Sequence, residues 1–235
     1  MYEIRRAEDR GHADHGWLRS AHTFSFANYH DPAHMGFGPL RVINEDVVEG
    51  GKGFGTHPHR DMEIISYVLD GALEHRDSMG TGSVIRPGEL QLLSAGTGVT
   101  HSEFNASPTD TAHFLQIWIV PAQRGTAPRY EQRAFPEAER SARWVVLAAP
   151  DGAEGGLTVG QDVRLYGTLL AAEEARDYRF EEGRTGWLQV ARGDVRVAGE
   201  TLRAGDGLAI AEETSLNVTA NAAAELLLFD LPAQS

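Results

Sequence analysis

Apolar and polar positions alternate in short runs over most of the chain, and turn residues separate the runs. Period-two alternation puts successive side chains on opposite faces of a sheet, so runs of this kind predict strands. Residues 40–48 (LRVINEDVV), 63–69 (EIISYVL), 73–77, 89–93 and 114–120 read as strands, with a shorter candidate at 22–27. The punctuation agrees. Gly50-Gly51-Lys52-Gly53 breaks the chain, Asp70-Gly71 is a hairpin turn, Pro87-Gly88 turns into the next run, and Pro121 closes the last. Residues 1–39 are loop-rich. Helical periodicity is scarce, and residues 136–142 are its best candidate.

The second half repeats the plan of the first. Val68-Leu-Asp-Gly71 is echoed 122 residues later by Val190-Ala-Arg-Gly193. Pro87-Gly88-Glu89 is echoed 117 residues later by Ala204-Gly205-Asp206. Leu115-Gln-Ile-Trp118 with Pro121 matches Leu226-Leu-Leu-Phe229 with Pro232. Matches in the same order point to a duplication. The expected organisation is a domain over residues 1–121, a charge-rich linker over 122–150, and a second domain over 151–235.

Composition narrows the chemistry. With 235 residues the chain can bury a sizeable core. It has no cysteine, which excludes disulfides, thiolate ligands, iron–sulfur clusters and thiol nucleophiles. A net charge of −13 disfavours binding to phosphate backbones and anionic lipid. The first ten residues carry charges where a secretory signal needs an apolar core, and no apolar run approaches the roughly 20 residues that span a bilayer. The expectation is a soluble cytoplasmic protein with no nucleic-acid or membrane partner.

Candidate chemistry gathers in Thr56-His57-Pro58-His59-Arg60-Asp61-Met62-Glu63. His57 and His59 share one face of a strand, and His101-Ser102-Glu103 has the same spacing. These residues predict a β-barrel whose interior holds one metal through His57, His59, His101 and one carboxylate. Spacing leaves the carboxylate open. Glu103 shares its strand with His101, whereas Glu63 shares the parity of His57 and His59, as does Asp61 unless it lies in the bend. His12, His15, His22, His30, His34, His75 and His113 read as surface or structural residues, with His22 as the one pocket candidate.

Three imidazoles and a carboxylate without a soft ligand suit Fe, Ni, Cu, Zn, Mn or Co. Such a set on a six-coordinate metal leaves two adjacent positions, enough for a bidentate substrate or a substrate atom plus dioxygen. A zinc hydrolase would use three ligands and a water. Repeat offsets carry His57 and His59 onto Arg179 and Glu181, and His101 and Glu103 onto Val218 and Ala220. No histidine lies beyond His113, so the second half is expected to hold no metal in this way.

These segments resemble the two cupin motifs. Gly51-x₅-His57-x-His59-x₃-Glu63 fits the first, with Gly71 one residue late; His101-x₃-Asn105 fits the end of the second, although Pro87-Gly88 stands where Pro-x-Gly is usual. More closely, the chain resembles the pirin family in its bacterial quercetinase branch. The resemblance rests on residues 10–18 (RGHADHGWL), 22–29 (HTFSFANY), 55–63 (GTHPHRDME) and 94–105 (SAGTGVTHSEFN), and continues more weakly to the C-terminal half. It implies an all-β bicupin, two β-sandwich barrels of the cupin or jelly-roll type standing face to face with few short helices, and a metal in the N-terminal one.

The implied ligands are His57, His59, His101 and Glu103, normally on iron; a metal-bound carboxylate is also the natural acceptor of a phenol's proton, which gives Glu103 a second role as base. The expected ion is Fe(II), with Ni, Co, Mn, Cu and Zn as alternatives. The implied reaction is flavonol dioxygenation: the central ring of quercetin is opened, both atoms of O2 are incorporated, and carbon monoxide leaves. Phe24, Phe26 and Phe37 are candidate walls for a phenolic substrate. Eukaryotic members imply a rival reading, a redox-sensitive metal-binding regulator that docks a partner without turnover. A cupin isomerase or hydrolase acting on a small polar metabolite, and a metal-free storage barrel, are further rivals.

Overall fold

The structure, a computed structural model, describes residues 1–233. The chain opens with β1 (Tyr2–Arg5), β2 (Gly11–Asp14), β3 (Leu18–His22), β4 (Leu40–Val48), β5 (Gly53–His59), β6 (Glu63–Asp70) and β7 (Leu73–Asp77). It continues with β8 (Gly82–Ile85), β9 (Glu89–Ser94), β10 (Val99–Asn105), β11 (Ala112–Ile119), β12 (Arg129–Ala134) and the one-turn helix α1 (Glu137–Arg140). Then follow β13 (Val145–Ala149), β14 (Leu157–Thr158), β15 (Arg164–Leu170), β16 (Ala175–Arg179), β17 (Arg184–Arg192) and β18 (Asp194–Val197). The last strands are β19 (Glu200–Arg203), β20 (Gly207–Ile210), β21 (Ser215–Ala220) and β22 (Ala224–Pro232).

Two compact units form. One comprises residues 11–134 with 157–161; the other comprises, among the described residues, 1–10, 135–156 and 162–233. In the first, a seven-stranded sheet runs β12-β9-β6-β11-β4-β3-β2 and a four-stranded sheet runs β5-β10-β7-β8. In the second, β1-β20-β17-β22-β15-β13 are neighbours in the large sheet and β16-β21-β18-β19 form the small one. The orders β9-β6-β11-β4-β3 and β20-β17-β22-β15-β13 correspond, as do β5-β10-β7-β8 and β16-β21-β18-β19, so the duplication expected from the sequence is seen in the strand order. The edge strand beside β9 is β12, which follows the rest of its sheet in the chain, and the one beside β20 is β1, which precedes the rest of its own. The stretch 122–150, read above as a linker, carries β12, which pairs with β9, then α1 and β13.

The two closed barrels expected from the sequence do not form. The fold is all-β, but every sheet is open, and among the described residues none closes on itself. A barrel requires its first and last strands to bond with a consistent tilt and stagger. In the first unit the edges instead remain separate: β12 and β2 end the large sheet, β5 and β8 the small one. The unit is held by packing between its two sheets. Val48, Val68 and Phe114 of the large sheet meet Leu73 and Ile85 of the small one, all fully buried. Each such side chain contributes about 1.5–3 kcal/mol through burial.

Local sequence sets most strand boundaries. Residues 40–48 form β4 and 73–77 form β7, with Gly71 at φ +75 making the turn between β6 and β7. The candidate strand at 22–27 does not form: β3 ends at His22, and Phe26 makes only an isolated bridge to Tyr29. No helix among the described residues is long and apolar enough to cross a membrane.

Candidate metal centre

The small sheet of the first unit presents its inner face as a row of ligand-type residues. On β10 burial alternates cleanly, with Val99, His101, Glu103 and Asn105 turned inward. Register places His57 of β5 opposite His101 on one side and Asp77 of β7 opposite it on the other. Glu103 stands opposite His75. Period-two geometry therefore brings His57, His59, His75, His101 and Glu103 to one face of three neighbouring strands.

His57, His59 and His101 form a compact group, with nitrogen atoms within 4.8 Å of one another. Their ring centroids lie 4.5–4.9 Å apart, as the 57–101, 57–59 and 59–101 pairs show. His57 Nδ1 donates to the Gly55 carbonyl at 2.8 Å, which leaves the Nε2 lone pair free. That Nε2 faces His101 Nε2 at 3.1 Å. Two nitrogens bound at right angles to a metal at about 2.1 Å stand roughly 3.0 Å apart, so the spacing fits adjacent ligands of one ion. Burial first, then the neighbouring His57, pulls the pKa of His59 down to about 4. Burial and the three surrounding imidazoles pull His101 down to about 2. Both rings are neutral at pH 7 and can donate lone pairs. The set fits a divalent metal.

Glu103 enters a second, overlapping group with His75 and His101. Its carboxylate is fully buried, and burial raises its pKa against the hydrogen bonds it accepts. Ser66 Oγ donates to Oε1 at 2.8 Å and Gln116 Nε2 to Oε2 at 2.5 Å. Both donors come from the large sheet, where they are paired across β6 and β11. Ser66 and Gln116 carry no motif spacing that would mark them in the sequence. The available signal was a polar residue at an inward position of an otherwise apolar strand.

His75, which reads from the sequence as a surface or structural residue, belongs to this second group. It is fully buried, stacks on Tyr130 at 4.8 Å, and faces Asp77 Oδ2 through Nε2 at 3.1 Å. Burial would raise the pKa of Asp77, but bonds from His75 and the Thr81 and Met79 amides outweigh it and hold it low. Asp77 is thus an acceptor, His75 Nε2–H donates to it, and the buried Nδ1 has no partner among the described residues. The alternation of Leu73, His75 and Asp77 after the Asp70-Gly71 turn was the usable signal.

Glu63 lies elsewhere. Asp61 takes φ +49, so the alternation that linked residues 57 to 63 breaks between β5 and β6. Glu63 is buried, accepts from Ser94 Oγ at 2.7 Å and from the Gly160 amide, and serves the fold.

A cavity of about 620 Å³ opens beside the cluster, with His57, His59 and Glu103 in its lining. Trp17, Phe26, Phe54 and Trp118 supply apolar wall, and Trp118 meets His59 edge-on at 5.0 Å. Of the wall residues expected above, Phe26 lines the cavity, together with His22. Phe24 and Phe37 do not line it; Phe24 is buried and Phe37 forms a bridge to Leu40.

In the second unit the matching positions are filled with aliphatic and aromatic side chains. Leu73 opposes Asn105 in the first unit, and Val195, likewise two residues past a glycine at φ +75, opposes Ala220 in the second. Counting along these ladders aligns His57 with Tyr178, His59 with Phe180, His75 with Val197, His101 with Leu216 and Glu103 with Val218. All five belong to, or pack against, one apolar cluster.

Comparison with known proteins follows the same division of the chain. A family model described as pirin matches residues 3–119, and one described as the quercetinase C-terminal cupin domain matches residues 146–231. The chain is 50% identical over 232 residues to a quercetin 2,3-dioxygenase of Escherichia coli K12, covering 99% of each. It is 44% identical over 232 residues to a pirin-like protein of Caulobacter vibrioides, covering 98% of this chain and 99% of the relative. Among solved structures, a bacterial pirin of Escherichia coli in complex with nickel(II) superposes with a TM-score of 0.95 at 49% identity, covering 100% of both chains.

Proposed function

The chain belongs to the pirin family, in its bacterial quercetinase branch, and from that membership we propose a metal-dependent dioxygenase that opens the central ring of flavonols such as quercetin and releases carbon monoxide. The observation that carries the reading is one arrangement: neutral imidazoles and a hydrogen-bonded buried carboxylate stand at one end of a cavity walled by aromatic rings. A volume of about 620 Å³ lies within the roughly 300–1,000 Å³ typical of small-molecule pockets and suits a planar multi-ring phenol.

In this reading His57, His59, His101 and Glu103 hold one divalent metal, Fe(II) in the native protein. Nickel in the Escherichia coli relative does not select the native ion, because N/O sites generally bind Ni(II) more tightly than Fe(II). When bound, the metal supplies Lewis acidity that lowers the pKa of a substrate hydroxyl. Glu103 accepts that proton. Ser66 Oγ lies 2.8 Å from Glu103 Oε1 and 3.0 Å from Gln116 Oε1, so its single proton can turn to Gln116 once Glu103 is protonated. The aromatic walls align the substrate and exclude water from the electron-rich anion. Both atoms of O2 enter the opened product and one ring carbon leaves as carbon monoxide, which balances the reaction without a further reductant. The second unit binds no metal, and the protein works in the cytoplasm.

Two measurements on purified protein test the proposal. Elemental analysis should find one transition-metal ion per chain, and oxygen uptake with quercetin should require it. Equal oxygen uptake by chelator-stripped and metal-loaded protein would contradict the proposal. Metal-dependent binding to a protein partner without any oxygen consumption would favour the regulatory reading.

A further inference from the structure

Beneath the cavity, strand register lays out a row of polar side chains. Ser66, Gln116, Asn44 and His22 lie side by side on β6, β11, β4 and β3. One level along, Asp46 of β4 pairs with Ser20 of β3. Asn44, Asp46, Ser20, His22 and Gln116 are buried and line the cavity. The Glu103 end of this row is accounted for, because Ser66 and Gln116 grip the carboxylate. The β4 end is not. Asn44 Oδ1 and Asp46 Oδ1 have no hydrogen-bond partner among the described residues.

Buried oxygens of this kind are rare in native proteins, and each calls for an explanation. Here two occur at alternate positions of one strand, where β-branched hydrocarbons would otherwise pack. Asp46 is already stressed: burial foremost, then the charges of Glu103 and Glu45, raises its pKa to about 7, against a bond from Ser20. Such an arrangement is unfavourable in the empty protein and is relieved by a donor arriving from the cavity.

We propose that Asn44 and Asp46 form a specificity subsite that accepts hydrogen bonds from a second hydroxyl of the substrate, distinct from the one whose proton passes to Glu103. The proposal rests on the flavonol reading above and deepens it: the preferred substrate is a planar aromatic bearing at least two hydroxyls. Asn44 lies two strand spacings from Ser66, roughly 10 Å, a separation on the scale of a fused ring system.

The test compares two ligands on metal-free protein, so that binding is read without turnover. Quercetin carries several ring hydroxyls, whereas 3-hydroxyflavone carries only the one on its central ring. Wild type should bind quercetin at least about tenfold more tightly, a difference of about 1.4 kcal/mol. Asn44→Leu and Asp46→Leu should each reduce that ratio to near one by weakening quercetin alone, while Asp46→Asn, which keeps an acceptor oxygen, should retain most of it. The same leucine variants should melt, without ligand, at or above the wild-type temperature, because they remove unpaired polar atoms. A ratio unchanged in all three variants would overturn the proposal. So would equal weakening of both ligands, or loss of folding in both leucine variants, which would make the two residues structural. Turnover by metal-loaded wild type is measured in parallel. Discrimination without turnover would refute the dioxygenase reading and leave the subsite standing; turnover without discrimination would do the reverse.

Discussion

At the scale of single residues, ligands and supports should respond differently to substitution. His57→Ala or His101→Ala should lose the metal, because the remaining donors no longer complete the site and affinity depends on ligand number and type; elemental analysis after dialysis reads this directly. Glu103→Gln should weaken metal retention and reduce quercetin turnover at least about a hundredfold, the usual scale for a lost general base. Glu63→Gln should retain both metal and activity, because its carboxylate bonds Ser94 and Gly160 and not the imidazoles. An empty Glu63→Gln protein beside a loaded, active Glu103→Gln protein would reverse the assignment. Acid stability offers a further check. His59 titrates near pH 4 in the fold and near 6.5 in the unfolded chain, so below about 6.5 the unfolded chain takes up a proton that the folded site refuses. Metal-free protein should therefore melt progressively lower from pH 6.5 towards 4, and His59→Gln should show a shallower fall; parallel slopes would exclude His59 as a source. The histidine pairs were legible from spacing because His-x-His and His-x-Glu must share a strand face. His75, Ser66 and Gln116 were not, because their importance arises from which strands become neighbours, and spacing within one strand carries no such information.

At the scale of elements, turns fix the registers that build the site. Gly71 and Gly193 both take φ +75 at the same place in the repeated plan. An added Cβ at Gly71 would lie 2.7 Å from the Thr111 carbonyl, and one at Gly193 would meet the Ala223 carbonyl. Gly71→Ala and Gly193→Ala should each destabilise by more than about 1 kcal/mol in denaturant titration, since a left-handed conformation and a backbone clash are combined. Only Gly71→Ala should also weaken metal binding, because it joins β6 to the β7 strand that lies beside β10. Strands bounded by turn residues, such as β4 and β7, were readable to the residue. The equivalence between halves was readable only approximately. Offsets of 122 and 117 pointed to Arg179, Glu181, Val218 and Ala220, whereas the ladders align Tyr178, Phe180, Leu216 and Val218 with the site. Hairpin lengths differ between the halves, and the β5–β10 ladder shifts register between His101 and Glu103, so no constant offset holds. Closure of the sheets was misjudged for a related reason. Alternation sets which face a residue occupies, but not whether the outermost strands meet.

At the scale of the molecule, one topology is used twice and loaded once. Apolar side chains in the second unit occupy the positions of the imidazoles, so metal content should be one ion per chain, and Arg179→Ala or Glu181→Ala should change turnover by less than about tenfold. A second equivalent of metal in tag-free protein would contradict this division. The central claim joins the loaded unit to one reaction, and isotope labelling under ¹⁸O2 tests it most directly. Protein reconstituted anaerobically with Fe(II) and given quercetin should release one carbon monoxide per quercetin consumed and place both ¹⁸O atoms in the ring-opened product, while metal-free protein should do neither. Quercetin loss without carbon monoxide, or with ¹⁸O appearing only in peroxide or water, would mean that the site oxidises phenols without opening the ring, and the account would be wrong.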